Sequence, residues 1–134
     1  MEDSIFTKII RGDIPSYKIY EDAWTYAFLD IHPKQPGHTL VVPKSQVSFV
    51  WDMSPEDYQH LMESARKVGR HLQGVLRPTH VGMMIEGLGV PHAHVHVFPF
   101  ETTADFHKQF DLNTEPDNAA LARMAERIRM EDDL

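Results

Sequence analysis

Three histidines alternate with apolar residues between Pro91 and Pro99, and this spacing constrains the fold more than any other feature of the chain. Successive side chains of a β-strand point to opposite faces of its sheet, so a period of two places His92, His94 and His96 on one face. Alanine and valine occupy the other face, as expected for a strand that packs against a core. The spacing therefore predicts a strand over residues 92–98 with three imidazoles along one side.

The patterns around this strand predict a small α+β domain. β-branched and aromatic runs predict strands, over residues 17–21, 25–30, 38–42, 81–86 and 92–98. Helical spacing and the N-cap residues Ser4 and Ser54 predict helices, over residues 5–11, 54–72 and 118–130. We expect a single domain over 1–134, with its core at about 4–100 and a helical C-terminal extension at about 118–130.

The expected architecture is a mostly antiparallel sheet of about five strands, with the central helix packed on one face. A sheet of this size leaves edge strands that can pair with another chain. The sequence therefore also predicts a homodimer.

Composition and charge exclude several classes of function. The chain has no cysteine, which excludes disulfides, zinc ribbons and thiolate nucleophiles. Its formal net charge of −7 argues against binding to extended nucleic acid, which requires a surface rich in lysine and arginine. No apolar stretch is long enough to span a membrane, and the acidic residues Glu2 and Asp3 are unlike the start of a signal peptide. We therefore expect a cytoplasmic protein without membrane contact.

A row of histidines on one strand suits two kinds of chemistry. Burying three imidazoles for structural reasons alone requires many hydrogen-bond partners, which favours a functional role. One possibility is a metal site, because two histidines at positions i and i+2 can share a zinc ion with a third ligand. The other is nucleophilic catalysis, in which a neutral imidazole attacks phosphorus while its neighbours handle protons and phosphate charge. The row alone leaves both possibilities open.

Further motifs precede the row. In chain order they are Ile5-Phe6, Lys8 to Gly12, Ile14-Pro15, Tyr20 to Asp22, Ala27 to Ile31, and Pro36-Gly37-His38 continuing to Lys44. With these motifs in this order, the chain resembles the histidine triad (HIT) family, specifically its compact Hint-like branch, over roughly the first three quarters of its length. The resemblance implies a HIT-like fold and a nucleotide hydrolase or transferase that forms a covalent nucleotidyl-histidine and needs no cofactor.

The resemblance also implies roles for individual residues. His94, the middle histidine of the row, is the expected nucleophile, and His96 is expected to face the phosphate and the leaving group. His92 and His38 are expected to orient or polarise the other imidazoles and the phosphate oxygens. Asp30 matches the acid that holds the ribose hydroxyls, and its alternative role is to cap the following loop.

Apolar residues match the base pocket of the family; they are Ile5, Phe6, Ile9, Phe28 and Ile31. Apolar walls hold a flat base without demanding one identity, so we expect purines to be favoured by size alone. The expected partner is therefore a purine nucleotide substrate.

The loop before the row is shorter than the resemblance implies. Relatives are expected to carry an asparagine, several glycines and a glutamine or serine that contacts phosphate, whereas this chain has only residues 86–91. The backbone N–H groups of Gly89 and Val90 are expected to take over part of the phosphate binding. An inward-pointing Glu86 would disfavour long polyphosphates. The compact branch favours nucleoside 5′-phosphoramidates over dinucleoside polyphosphates as substrates.

Two other functions stay open. A metal-dependent hydrolase would use His92, His94 and His96 as ligands and would lose activity to a chelator. A regulatory nucleotide-binding protein would bind a nucleoside monophosphate tightly and form no covalent intermediate. His38, Asp30 and the apolar pocket have no reason to accompany a simple metal site, which favours the metal-free hydrolase.

Overall fold

Five antiparallel strands form one sheet in the computed structural model, which describes residues 1–134. The strands are β1 (Lys18–Glu21), β2 (Thr25–Leu29), β3 (Thr39–Pro43), β4 (His80–Met84) and β5 (Val95–Phe100). Their spatial order is β1-β2-β3-β5-β4, and every neighbouring pair is antiparallel. The predicted α+β class and the five-stranded antiparallel sheet are confirmed.

Four α-helices accompany the sheet. They are α1 (Ile5–Ile10), α2 (Pro55–Leu76), α3 (Thr103–His107) and α4 (Asn118–Ile128). Ser4 and Ser54 cap α1 and α2 by accepting hydrogen bonds from backbone N–H groups, as predicted. No sequence pattern predicted α3, whose first turn is held by reciprocal hydrogen bonds between Thr102 and Asp105. None of the helices combines the length and the hydropathy that a membrane span requires.

Apolar clusters cover both faces of the sheet. On one face, α2 and α4 pack over residues such as Val41. On the other face, Phe6 and Ile9 of α1 pack against Phe28 of β2 and Leu40 of β3. Since both faces are covered, every residue of β2 and β3 is buried. Side chains of β5 that point to the α1 face therefore enter an environment shielded from water.

β5 begins later than the sequence predicts. The predicted strand covers residues 92–98, whereas β5 starts at Val95. His96 is therefore the only member of the histidine row within a strand, and His92 and His94 belong to the loop that leads into it. The prediction that all three histidines lie on one strand was wrong.

Local hydrogen bonds explain why the strand starts late. The N–H of Ala93 donates to the carbonyl of Val47 at 2.7 Å, and the N–H of His92 turns back to the carbonyl of Val90 at 2.8 Å. The neighbouring strand β4 ends at Met84, so it offers this segment no ladder partner. The backbone before β5 is instead held by a loop contact.

The two edges of the sheet differ. The C-terminal tail covers the β1 edge, because the N–H groups of Met130 and Asp133 donate to the carbonyls of Ile19 and Glu21, both at 2.8 Å. β4, at the other edge, pairs with β5 alone. The sheet thus has one free edge.

Candidate active site

A cavity of about 540 Å³ opens on the α1 face of the sheet. His94 and His96 line it together with every residue predicted to bind nucleotide: Ile5, Phe6, Ile9, Phe28, Asp30, Ile31, Gly89 and Val90. His38 and His92 lie behind this lining and are fully buried. A volume of this size is typical of small-molecule sites.

Three of the four histidines predicted as catalytic have rings in contact, and Phe6 connects the fourth, His92, to them. The ring centroids of His94 and His96 are 5.1 Å apart, and those of His96 and His38 are 5.2 Å apart. Phe6 contacts His94 and His92 edge-on, with centroid distances of 5.2 and 5.7 Å. The fold therefore brings all four histidines together although only His96 lies in β5.

Hydrogen bonds determine the tautomers of His38 and His96. The backbone N–H of Lys34 donates to His38 Nδ1 at 3.0 Å, and because an amide only donates here, the proton of the neutral His38 is on Nε2. His38 Nε2–H donates to His96 Nδ1 at 3.0 Å, which places the proton of His96 on Nε2. His96 Nε2–H in turn donates to Glu86 Oε1 at 3.0 Å. A directed hydrogen-bond chain therefore runs from the Lys34 backbone to the Glu86 carboxylate.

Burial keeps both imidazoles of this chain neutral. Desolvation lowers the pKa of His38 to about 3 and the pKa of His96 to about 4, with smaller contributions from a neighbouring histidine and from Lys34. The Lys34 ammonium is itself buried, where it donates to the Phe106 carbonyl at 3.0 Å and lies over three phenylalanine rings. At neutral pH each imidazole thus carries the single proton that the hydrogen-bond chain requires.

His94 presents an unprotonated nitrogen to the cavity. Its Nδ1 lies 2.8 Å from the carbonyl oxygen of His92, which only accepts, so Nδ1 carries the proton of the neutral ring. Nε2 makes no hydrogen bond within the chain and is not sealed from the cavity. An imidazole held in this tautomer is prepared for nucleophilic attack.

Ser4 holds the ring of His92. His92 Nε2–H donates to the carbonyl of Pro43 at 2.7 Å, so Nδ1 accepts, and the Ser4 hydroxyl donates to it at 2.7 Å. The same hydroxyl oxygen accepts the N–H of Thr7 at 3.0 Å as the cap of α1. Ser4 therefore ties the start of α1 to the histidine row.

Asp30 has two carboxylate oxygens with different surroundings. Oδ1 accepts the N–H of His32 at 2.8 Å and so caps the following loop, the alternative role that the sequence left open for Asp30. Oδ2 lies 3.7 Å from His38 Nε2, and the residue lines the cavity. Burial is the main cause that raises the pKa of this carboxyl. Oδ2 has free lone pairs for hydroxyl donors.

Comparison with known proteins identifies the family. A family model described as "HIT domain" matches residues 11–103. The chain belongs to the HIT family. It is 35% identical over 127 residues to Protein hit of Bacillus subtilis (83% of this chain, 88% of that protein). It is 34% identical over 100 residues to adenosine 5′-monophosphoramidase hnt1 of Schizosaccharomyces pombe (71% of this chain, 72% of that protein).

The HIT fold is confirmed by a solved structure. The crystal structure of a Hit-like protein involved in cell-cycle regulation from Bartonella henselae matches with a TM-score of 0.82 and 28% sequence identity. The match covers 96% of this chain and 98% of that chain. The similarity therefore includes the C-terminal region beyond the residues that the family model matches.

The loop before β5 gives this HIT protein a charged group beside the histidine row. Glu86 points into the cavity, where its carboxylate accepts from His96. The N–H of Val90 already donates to the carbonyl of Leu88 at 3.1 Å, whereas the N–H of Gly89 has no partner in the chain. Of the two N–H groups predicted to bind phosphate, only that of Gly89 is therefore available.

The segment after α3 supplies residues that no sequence pattern predicted. Phe110 packs on the rings of His38 and His96, with centroid distances of 5.7 and 5.4 Å, and lines the cavity together with Leu112. Lys34 was missed as well. These residues have no periodicity or known spacing relative to the histidine row, and only tertiary contacts reveal them.

Two groups of side chains approach the spacing of metal ligands. Asp30 with His38 and His96, and Glu86 with His94 and His96, each bring three ligand atoms within 4.8 Å of one another. His96 belongs to both groups, and the hydrogen-bond chain leaves it no free lone pair, since Nδ1 accepts and Nε2 carries the proton. In this hydrogen-bonding arrangement His96 therefore offers neither group a free ligand atom.

Proposed function

We propose that this HIT protein hydrolyses purine nucleoside 5′-phosphoramidates or related nucleotide conjugates through a nucleotidyl-histidine at His94. The observation that supports this most strongly is the tautomer of His94, with Nδ1–H bonded to the His92 carbonyl and the Nε2 lone pair directed to the cavity. The similarity to the S. pombe adenosine 5′-monophosphoramidase supports the substrate class.

The proposed reaction has two steps. His94 Nε2 attacks the α-phosphorus, and the P–N bond to His94 forms as the bond to the leaving group breaks. Water then attacks the same phosphorus, the bond to Nε2 breaks with its electron pair returning to His94, and nucleoside monophosphate is released. The free N–H of Gly89 is a donor for a phosphate oxygen during both steps.

The remainder of the cavity accommodates the nucleoside. Its mostly apolar lining, which includes Ile9 and Phe28, holds the base through contact area and favours the larger purines. Asp30 Oδ2 accepts hydrogen bonds from the ribose hydroxyls.

Because the nucleophile is a side chain, the reaction needs no cofactor. The proposal retains the single-domain organisation and the cytoplasmic location that the sequence predicts.

The test is hydrolysis of a fluorogenic adenosine 5′-phosphoramidate in the presence of a chelator, with intact-mass detection of the adduct. We expect chelator-resistant turnover and a mass increase of one nucleotidyl group, both abolished in His94→Ala. The control is His60→Ala on α2, outside the cavity lining. Turnover that is lost with the chelator would indicate a metalloenzyme. Tight nucleotide binding without turnover or adduct would indicate a regulatory binding protein.

We also propose that two copies pair through the free edge of β4. Met83 on this strand is 42% exposed, and Trp51 is 88% exposed. Trp51 and Phe49 line a second cavity, of about 180 Å³, that reaches His94 and Glu86. A partner seated on β4 would therefore also cover the open side of the active site.

Sedimentation analysis at micromolar concentration tests this pairing. We expect a dimer for the wild type and a monomer for Met83→Glu, because a carboxylate in the paired edge loses its hydration. Leu134→Glu is the matched control, since Leu134 is exposed at the end of the chain. A monomeric wild type would rule out the dimer.

A further inference from the structure

Glu86 lies beside the histidine row but has no role in the two reaction steps proposed for His94. Its side chain is 24% exposed and lines the cavity beside His96. Oε1 accepts from His96 Nε2–H, whereas Oε2 makes no hydrogen bond within the chain. One oxygen of this carboxyl group is therefore held and the other is free to contact a ligand.

Both proposed steps require a proton transfer near the phosphorus. An amine leaving group must gain a proton as its bond to phosphorus breaks, and the attacking water must lose one. The hydrogen bonds and roles of the four histidines leave none of them free for these proton transfers. His94 is the nucleophile, both ring nitrogens of His92 are bonded behind the cavity, and the protons of His38 and His96 are committed to the hydrogen-bond chain.

Distance singles out Glu86 among the remaining groups. One oxygen of its carboxyl group and one ring nitrogen of His94 lie within 4.8 Å of each other. A carboxyl group at this distance lies near a phosphorus atom bonded to His94, and the proposal requires the leaving group and the attacking water to lie on the side of phosphorus that this carboxyl reaches. Asp30 is committed differently, because one of its oxygens holds the loop at His32 and the other is assigned to the ribose.

We propose that Glu86 is the acid–base catalyst of both half-reactions, an inference that rests on the function proposed above. In the first half-reaction Glu86 takes up a proton from solvent on Oε2 and gives it to the leaving nitrogen. The P–N bond to the amine breaks with its electron pair on that nitrogen, and the bond from His94 Nε2 to phosphorus forms. In the second, the Glu86 carboxylate takes a proton from water, the water oxygen bonds to phosphorus, and the electron pair of the P–Nε2 bond returns to His94. Glu86 ends protonated and ready for the next substrate.

His96 acts in this scheme as a positioning residue. Its Nε2–H holds Oε1, and the tautomer that makes this possible is set by the Lys34 amide through His38. Oε2 is consequently the oxygen that carries and accepts the proton.

Glu86→Gln tests the proposal because glutamine keeps an oxygen for His96 but cannot transfer the proton. Two substrates separate the half-reactions in rapid-quench and intact-mass measurements. An adenosine 5′-phosphoramidate of an alkylamine needs the proton for its leaving group, whereas the 4-nitrophenyl ester of adenosine 5′-monophosphate does not. The exposed residue Glu101 provides the control variant Glu101→Gln.

With the alkylamine substrate, we expect Glu86→Gln to slow the first turnover by about 100-fold or more. With the nitrophenyl ester, nitrophenol release should stay within about threefold of wild type, while hydrolysis of the adduct slows by about 100-fold, so that nucleotidyl-His94 accumulates. Glu101→Gln should match the wild type.

Equal effects of Glu86→Gln on both leaving groups, without adduct accumulation, would overturn the acid–base role while leaving the nucleophilic role of His94 intact. A wild type that turns over neither substrate and forms no adduct would instead overturn the proposed function, and the role of Glu86 with it. Circular dichroism of Glu86→Gln verifies that the fold is retained.

Discussion

Acid should destabilise this fold through two buried histidines before its paired carboxylates titrate. The folded-state pKa is about 3 for His38 and about 4 for His96, whereas an unfolded imidazole titrates at about 6.5. As the pH falls below 6.5, the unfolded chain binds protons that the folded chain excludes. The free energy of unfolding is therefore highest above pH 6.5 and decreases as the pH falls toward 4.

The expected loss follows from the two pKa differences. At pH 5, each of the two histidines favours the unfolded state by about 2 kcal/mol relative to pH 8, or about 4 kcal/mol together. This is large against a typical total of about 5–15 kcal/mol. The raised pKa of Asp30 acts in the opposite direction and offsets part of the loss. Glu21 and Asp22 have lowered pKa values, so their contributions are lost only in more acidic solution.

Urea unfolding followed by circular dichroism at several pH values between 5 and 8 measures this effect. We expect His96→Gln to lose about 2 kcal/mol less than the wild type across this range, because one buried imidazole is gone. Burial also lowers the pKa of His92, which adds to the loss in both proteins. His107→Gln replaces an exposed histidine and should follow the wild-type profile. A wild type whose stability does not change with pH, or parallel profiles for wild type and His96→Gln, would refute the reasoning.

Three further substitutions probe the site. Ser4→Ala should lower the free energy of unfolding by about 2–4 kcal/mol in urea titrations, since it removes a helix cap and a buried hydrogen bond to His92. Thr102→Ala, which removes a helix cap outside the cavity, should cost only about 1 kcal/mol. Asp30→Asn should weaken the binding of adenosine 5′-monophosphate by about 10- to 100-fold in calorimetry. The affinity for a 2′,3′-dideoxy analogue should stay nearly unchanged. An equal loss of affinity for both ligands would argue against a ribose contact. Phe110→Leu should raise KM by about two- to tenfold in steady-state assays through lost ring contacts, and an unchanged KM would place this ring outside the bound state.

The sequence was sufficient to predict the elements whose signals are local. Helix α2 follows from a serine cap, a proline at the first position and apolar residues at helical spacing, and its observed range begins where these signals place it. The HIT family, Asp30 and the predicted apolar pocket follow from motifs in a fixed order. Motifs of this kind are contiguous in the chain, so they can be recognised without knowing the fold.

The start of β5 and the partners of the histidines depend on contacts between distant segments. Val47 replaces the ladder partner of Ala93, so alternation alone predicted a strand that begins too early. Ser4 reaches His92 across 88 positions of the chain, a separation for which no local pattern exists.

Residue types and motif order were determined by the sequence itself: a histidine row without cysteine, an acid at the end of β2 and an apolar pocket around them. Only the tertiary structure decided the protonation of each ring, because a tautomer depends on which donor or acceptor faces each nitrogen. The Lys34 amide sets the tautomer of His96 through His38, and the His92 carbonyl sets the tautomer of His94. The tautomer of His94 leaves its Nε2 lone pair free. The physical reason is that a hydrogen bond is directional and acts over only a few ångströms. Groups that are far apart in the sequence come within this distance only when the chain folds.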